Sequence, residues 1–230
     1  MAVPVLCFPY AGAGASVYRR CQEVEASGIV IRPVQLPGRE ELSDEELCTD
    51  AASAVAAMLP DILDLVEDSS ELALFGHSLG AILAYETAHQ LSEIAGPTVV
   101  RLFVSGSPGP WTQRVNRATG LTDEQFLDRV AELAGYRHPA LEHPELRELL
   151  LPILRADVAM HENYRPPVGK PLDVPVTSLR GSQDELVSAA QAAEWTDATV
   201  GECRTVEVPG GHMYLLESPA SLVRALERLR

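Results

Sequence analysis

The sequence predicts an α/β fold: a mostly parallel sheet of about six or seven strands, flanked by helices. Short apolar runs alternate with amphipathic stretches along most of the chain, the rhythm of strand–helix–strand units. One stretch, about 108–167, breaks that rhythm with helical patterns alone and reads as an inserted lid on a single domain. At 230 residues, with 46% hydrophobic and 22% charged residues, the chain can close one full core.

The first strand is Val3–Phe8, followed by the glycine-rich Pro9-Tyr10-Ala11-Gly12-Ala13-Gly14. Residues 29–36 form the second strand, stopped by Pro37-Gly38. Residues 51–66 space Val55, Met58, Leu59, Ile62, Leu63 and Val66 as one helix face, despite Pro60. Residues 72–75 are a third strand, 81–91 a helix and 99–105 a fourth strand. Inside the insertion, 122–133 opens with the capping signal Thr122-Asp123-Glu124-Gln125, and 144–159 is a second helix. Residues 174–180 resume the strand pattern, 188–195 are helical, and Cys203–Val208 is the last strand. Pro219–Leu229 closes the chain as a helix with proline at its first turn.

A net charge of −15 repels nucleic acid and anionic membrane as general partners. No apolar run reaches the roughly 20 residues of a membrane span. The opening Met1-Ala2-Val3-Pro4 has no basic n-region and reads as the approach to a core strand. Cys7, Cys21, Cys48 and Cys203 form no CxxC pair and fit no zinc spacing. A cytoplasmic monomer with reduced thiols, without metal or cofactor, is the expectation.

Between the third strand and the next helix stands Gly76-His77-Ser78-Leu79-Gly80. GxSxG at such a junction lifts a serine onto a sharp turn, and the glycines remove side chains that would collide there. The bland alternative is a glycine-rich turn holding a structural serine. A serine hydroxyl needs a base to attack, and the base needs an orienting carboxylate. On this kind of scaffold they follow in the order serine, acid, histidine. His212 lies in Pro209-Gly210-Gly211-His212, after the last strand. The preceding strand is followed by Gly181-Ser182-Gln183-Asp184-Glu185; Asp184 is the choice, with Glu185 as its rival. Oxyanion donors are expected from the backbone N–H of Leu79 and of the loop after the first strand, there Ala11. Gly12-Ala13-Gly14 as a phosphate cradle lacks a GxxxxGK[ST] pattern. His77 is expected to pack beneath the turn. His138-Pro139 and His143-Pro144 read as a loop at a helix boundary, not a metal site.

Several pieces resemble the type II thioesterases that accompany modular polyketide and nonribosomal peptide synthases. They are Cys7-Phe8-Pro9-Tyr10-Ala11-Gly12, Gln35-Leu36-Pro37-Gly38-Arg39-Glu40, Gly76-His77-Ser78-Leu79-Gly80-Ala81, Leu151-Pro152-Ile153-Leu154-Arg155-Ala156-Asp157 and Gly210-Gly211-His212-Met213-Tyr214-Leu215. They run in order over nearly the whole chain. The resemblance implies an α/β-hydrolase that cleaves acyl-phosphopantetheine thioesters on acyl or peptidyl carrier proteins, clearing stalled units. It places the family triad on Ser78, Asp184 and His212, the oxyanion donors on Ala11 and Leu79, and a helical lid at the insertion. Three departures stand out. Ala13 replaces a glycine usual in the first loop, Met213 stands where an aromatic is common, and an edge strand of many relatives is expected to be missing. Arg114 and Arg117 are candidates for the pantetheine phosphate. Apolar residues of the insertion, Phe126, Val130, Leu133, Leu149, Leu150 and Ile153, are expected mostly to pack, with some free to line an acyl channel. A carboxylesterase, an acyltransferase or cyclising release enzyme, and a non-catalytic binding protein are the competing classes.

Overall fold

A computed structural model describes residues 2–113, 117–134, 139–166 and 170–229. Six strands form one sheet: β1 (Val3–Phe8), β2 (Ile29–Pro33), β3 (Glu71–His77), β4 (Thr98–Ser105), β5 (Val176–Gly181) and β6 (Cys203–Val208). Their order is β2-β1-β3-β4-β5-β6, and every pairing is parallel. β3 lies between β1 and β4, with six of its seven residues buried. Both of its faces are covered, so it reads as a continuous apolar run and not as an alternation.

The helices are α1 (Arg19–Gln22), α2 (Ala51–Asp64), α3 (Leu79–Ser92), α4 (Asp123–Ala134), α5 (Pro144–Asn163), α6 (Ala189–Ala193), α7 (Tyr214–Glu217) and α8 (Pro219–Leu229). Leu6, Leu74 and Leu102 point to one side of the sheet, into a core shared with α2 and α3. Val5, Ala73 and Phe103 point to the other, where α1 and α8 supply Cys21, Leu222 and Leu226. The period-2 alternation of strand side chains thus divides between two apolar layers. A third cluster, Phe126, Leu127, Leu141, Leu151, Leu154 and Val158, joins α4 to α5.

β2 ends at Pro33, three residues short of the expected boundary. α5 runs four residues beyond the expected 159, to Asn163. Between β4 and β5 the only elements among the described residues are helices, including α4 and α5. Phe126 packs inside their cluster, and Leu149 is 67% exposed. Leu133 has no described side chain. All four cysteines are free thiols. No helix among the described residues is long and apolar enough to cross a membrane.

Candidate active site

The carboxyl ends of parallel strands are where loops converge on open α/β sheets. β3 delivers Ser78 there. Its backbone sits at φ 54° and ψ −115°, a conformation that costs a non-glycine residue roughly 1–3 kcal/mol. The turn holds because Ser78 N–H donates to the Ser105 carbonyl at 2.8 Å and Ala81 N–H to the Ser78 carbonyl at 3.1 Å.

The two glycines of the motif have a steric reason. A Cβ on Gly76 would overlap the Gly80 carbonyl, and a Cβ on Gly80 would overlap the Phe8 carbonyl. Both obstacles are backbone atoms and cannot swing aside. Gly76→Ala is therefore expected to cost more than about 3 kcal/mol, above ordinary overpacking. Its urea midpoint against wild type checks this, and an unshifted midpoint would contradict the steric account.

The loop after β5 delivers Asp184, whose Oδ2 lies 2.8 Å from His212 Nδ1. A carboxylate only accepts hydrogen bonds, so Nδ1 carries the proton and Nε2 is left as the basic nitrogen. Asp184 Oδ1 accepts from Leu186 N–H at 2.8 Å and Val187 N–H at 3.0 Å. Burial pushes this carboxyl up, but His212 and the Val187 and Leu186 N–H groups outweigh it and hold it below its ordinary value. Glu185, the rival, is exposed and meets none of these groups. The loops carrying Asp184 and His212 are stitched together by Ser182 N–H to the Val208 carbonyl, 2.7 Å, and Gln183 N–H to the Gly210 carbonyl, 2.9 Å.

His77 lies fully buried beneath the turn, its ring 4.8 Å from that of His212. Burial, reinforced by His212 and opposed by Asp184, pushes its pKa well down. A neutral His77 places no charge next to the His212 ring. A chain from His77 Nδ1 to Ser105 Oγ (3.0 Å) and on to Tyr214 OH (2.7 Å) fixes its plane. Ser105 escapes sequence reasoning, and Tyr214 stands in a family piece without a role that spacing or charge could assign.

Ser78 and His212 both line a cavity of about 450 Å³. Tyr10, Ala11 and Gly12 edge it, and Leu127, Val130, Leu150, Leu154 and Val158 form its apolar wall. His161, near the end of α5, also faces it. No hydrogen bond joins Ser78 to His212 among the described residues, a contact that hydrolases often close only with substrate bound. The N–H groups of Leu79 and Ala11 likewise donate to no protein acceptor among the described residues. Ala13 has a negative φ, the left-handed conformation of the loop falling on Gly12 at φ 80°. Its methyl therefore adds no backbone strain.

Arg117 does not line this cavity. Its guanidinium lies 3.4 Å from the buried Glu162 on α5 and hydrogen-bonds Asn163, while the side chain stays 43% exposed. Arg114 and His138 lie outside the described residues. His143 precedes α5, and no group of three metal-ligating side chains occurs among the described residues.

A parallel sheet whose β3 ends in a strained Gly-x-Ser-x-Gly turn, with a histidine–aspartate pair on the loops after β6 and β5, defines an α/β-hydrolase. The thioesterase domain family matches residues 3–229, and the chain belongs to it. It is 34% identical over 217 residues to the "Probable cadicidin biosynthesis thioesterase" of Streptomyces griseus, covering 94% of this chain and 59% of that protein's length. The solved "RedJ-Thioesterase from the Prodiginine biosynthetic pathway in Streptomyces coelicolor" superposes with a TM-score of 0.86 at 32% identity, over 99% of this chain and 89% of the other. The solved "YbtT - Type II thioesterase from Yersiniabactin NRPS/PKS biosynthetic pathway" gives a TM-score of 0.87 at 29% identity, covering 99% and 92%.

Proposed function

We propose that this chain hydrolyses acyl-phosphopantetheine thioesters on acyl or peptidyl carrier proteins, removing stalled or aberrant units from a polyketide or nonribosomal peptide assembly line. The observation that carries this reading is the cavity: a strained serine and an Asp-bound histidine open onto an apolar chamber sized for an acyl chain.

In the proposed cycle His212 Nε2 takes the Ser78 proton as Oγ attacks the thioester carbonyl. The N–H groups of Leu79 and Ala11 hold the oxyanion, at the N-terminus of α3, whose dipole favours negative charge. The C–S bond breaks, and the pantetheine thiolate takes the proton from His212. Water, deprotonated by His212, then attacks the acyl-serine, and the carboxylic acid leaves as Oγ regains its proton. Only side chains, backbone and water take part, so no cofactor is needed. α4 and α5 act as the lid, residues 1–230 as one domain, and the enzyme works as a cytoplasmic monomer. Carrier docking uses local contacts, since the net charge of −15 gives no attraction to an acidic partner.

Rates on a series of acyl chains carried by one carrier protein test the substrate. Each buried methylene is worth about 0.8 kcal/mol, so kcat/KM should rise about fourfold per carbon until the cavity is full. Val130 lines the wall, and Val130→Phe is expected to end that rise at a shorter chain. Faster turnover of matched oxygen esters would favour a carboxylesterase, and products extended by an alcohol or amine an acyltransferase.

A further inference from the structure

Between the β1 loop and α5 lies a buried ion pair that the proposed cycle does not use. Arg39 and Asp157 meet fork to fork, Nη1 to Oδ2 at 2.6 Å and Nη2 to Oδ1 at 2.8 Å. Their side chains are 4% and 0% exposed. Desolvation offsets most of the attraction in such a pair, and apolar replacements of similar volume are often as stable. Stability alone is thus a weak reason for its presence.

Its remaining contacts supply another. Asp157 Oδ2 also accepts from Gly12 N–H at 2.7 Å, and Arg39 Nη1 also donates to the Ala13 carbonyl at 3.1 Å. The neighbours of Arg39 extend the same grip. Gln35 Oε1 accepts from Ala15 N–H at 3.0 Å, and Glu40 Oε2 from Ser16 N–H at 3.1 Å. The loop from Gly12 to Ser16 is held from one side by residues 35–40 and from the other by Asp157. Ala11, immediately before the clamped residues, keeps its own N–H unspent on protein acceptors.

We propose that Arg39 and Asp157 are positioning residues that preset the oxyanion loop, holding the Ala11 N–H where negative charge develops. The inference rests on the oxyanion role proposed above for Ala11. Such a donor counts fully only when it is fixed before the charge appears. Asp157 also sits between Leu154 and Val158 on α5, both of which wall the cavity. The helix that walls the cavity therefore also holds the loop.

The test compares wild type, Asp157→Asn and the apolar double variant Arg39→Met/Asp157→Leu. Three readouts are taken: kcat and KM on an acyl-N-acetylcysteamine thioester, inhibition by a trifluoromethyl ketone bearing the same acyl chain, and the urea midpoint. Ser78 Oγ adds to the ketone carbon while His212 keeps the serine proton, and the resulting hemiketal presents a tetrahedral oxyanion without turnover. The double variant is expected to keep its urea midpoint and a KM within threefold, while kcat falls about 10- to 100-fold, less than the loss of a whole oxyanion donor. The ketone's Ki should rise by the same factor. Asp157→Asn keeps an acceptor for Gly12 and should fall between. Unchanged kcat in the double variant, or a kcat loss that the ketone Ki does not follow, would overturn the proposal. Should the double variant not fold, Asp157→Asn decides: its kcat and Ki must change together, at least threefold, at a retained urea midpoint. If wild type ignores the thioester yet binds the ketone, the substrate reading fails and the ketone arm still decides the clamp.

Discussion

Ser78→Ala is expected to lose on the order of 10⁶-fold in kcat on acyl thioesters, the scale seen when a serine hydrolase loses its nucleophile, while the fold survives. The second half follows from the backbone. Ser78 caps α3 without a side-chain hydrogen bond, so its hydroxyl supports no structural contact that alanine would remove. Alanine bears the same φ of 54° at a similar cost, and the urea midpoint should move by less than about 1 kcal/mol in stability. Ser78→Gly would relieve the strain and give a protein at least as stable as wild type and equally inactive. That contrast separates a catalytic residue from a packing one. Mass spectrometry should trap an acyl adduct on wild type and none on either variant. Turnover within tenfold of wild type in Ser78→Ala would remove the nucleophile from the proposed mechanism.

The turn around Ser78 was legible because it is local: a strand pattern, five residues and a helix pattern, all contiguous. His212 and the acidic loop were legible because parallel strands bring their carboxyl ends to one edge. The choice between Asp184 and Glu185 was not legible from the residues alone. It depends on Asp184 accepting N–H groups two and three residues ahead, a short-side-chain geometry that turns its other oxygen to His212. Arg117 shows a different limit. Its contacts with the buried Glu162, 45 residues away, and with Asn163 are tertiary, and no local pattern announces them. The one-turn helix Arg19–Gln22 left no period to read. The Gln35-to-Glu40 piece was readable as a signature but silent about its task. Its contacts are with a loop some 20 residues earlier and a helix 118 residues later, and no pattern in the sequence joins the three.

Asp184→Asn is expected to lower kcat by about 10⁴-fold, as when an orienting aspartate is replaced by its amide in a serine protease. Asparagine can turn its NH₂ group toward His212 Nδ1, which must then accept, and the imidazole proton moves to Nε2. That is the atom required to take the Ser78 proton. The same substitution changes the acid limb of stability. The folded Asp184 carboxyl lies below its ordinary value, since His212 and the Val187 and Leu186 N–H groups outweigh burial. Its contribution is fully present above the unfolded value of about 3.9 and is lost as pH falls through the lower folded value. Asp184→Asn should therefore show a flatter fall in Tm on acidification than wild type, together with a lower Tm at neutral pH. Glu185→Gln, altering an exposed neighbour, should leave kcat within experimental scatter. A larger kcat loss for Glu185→Gln than for Asp184→Asn would transfer the orienting role to Glu185, against the 2.8 Å contact that joins Asp184 to His212.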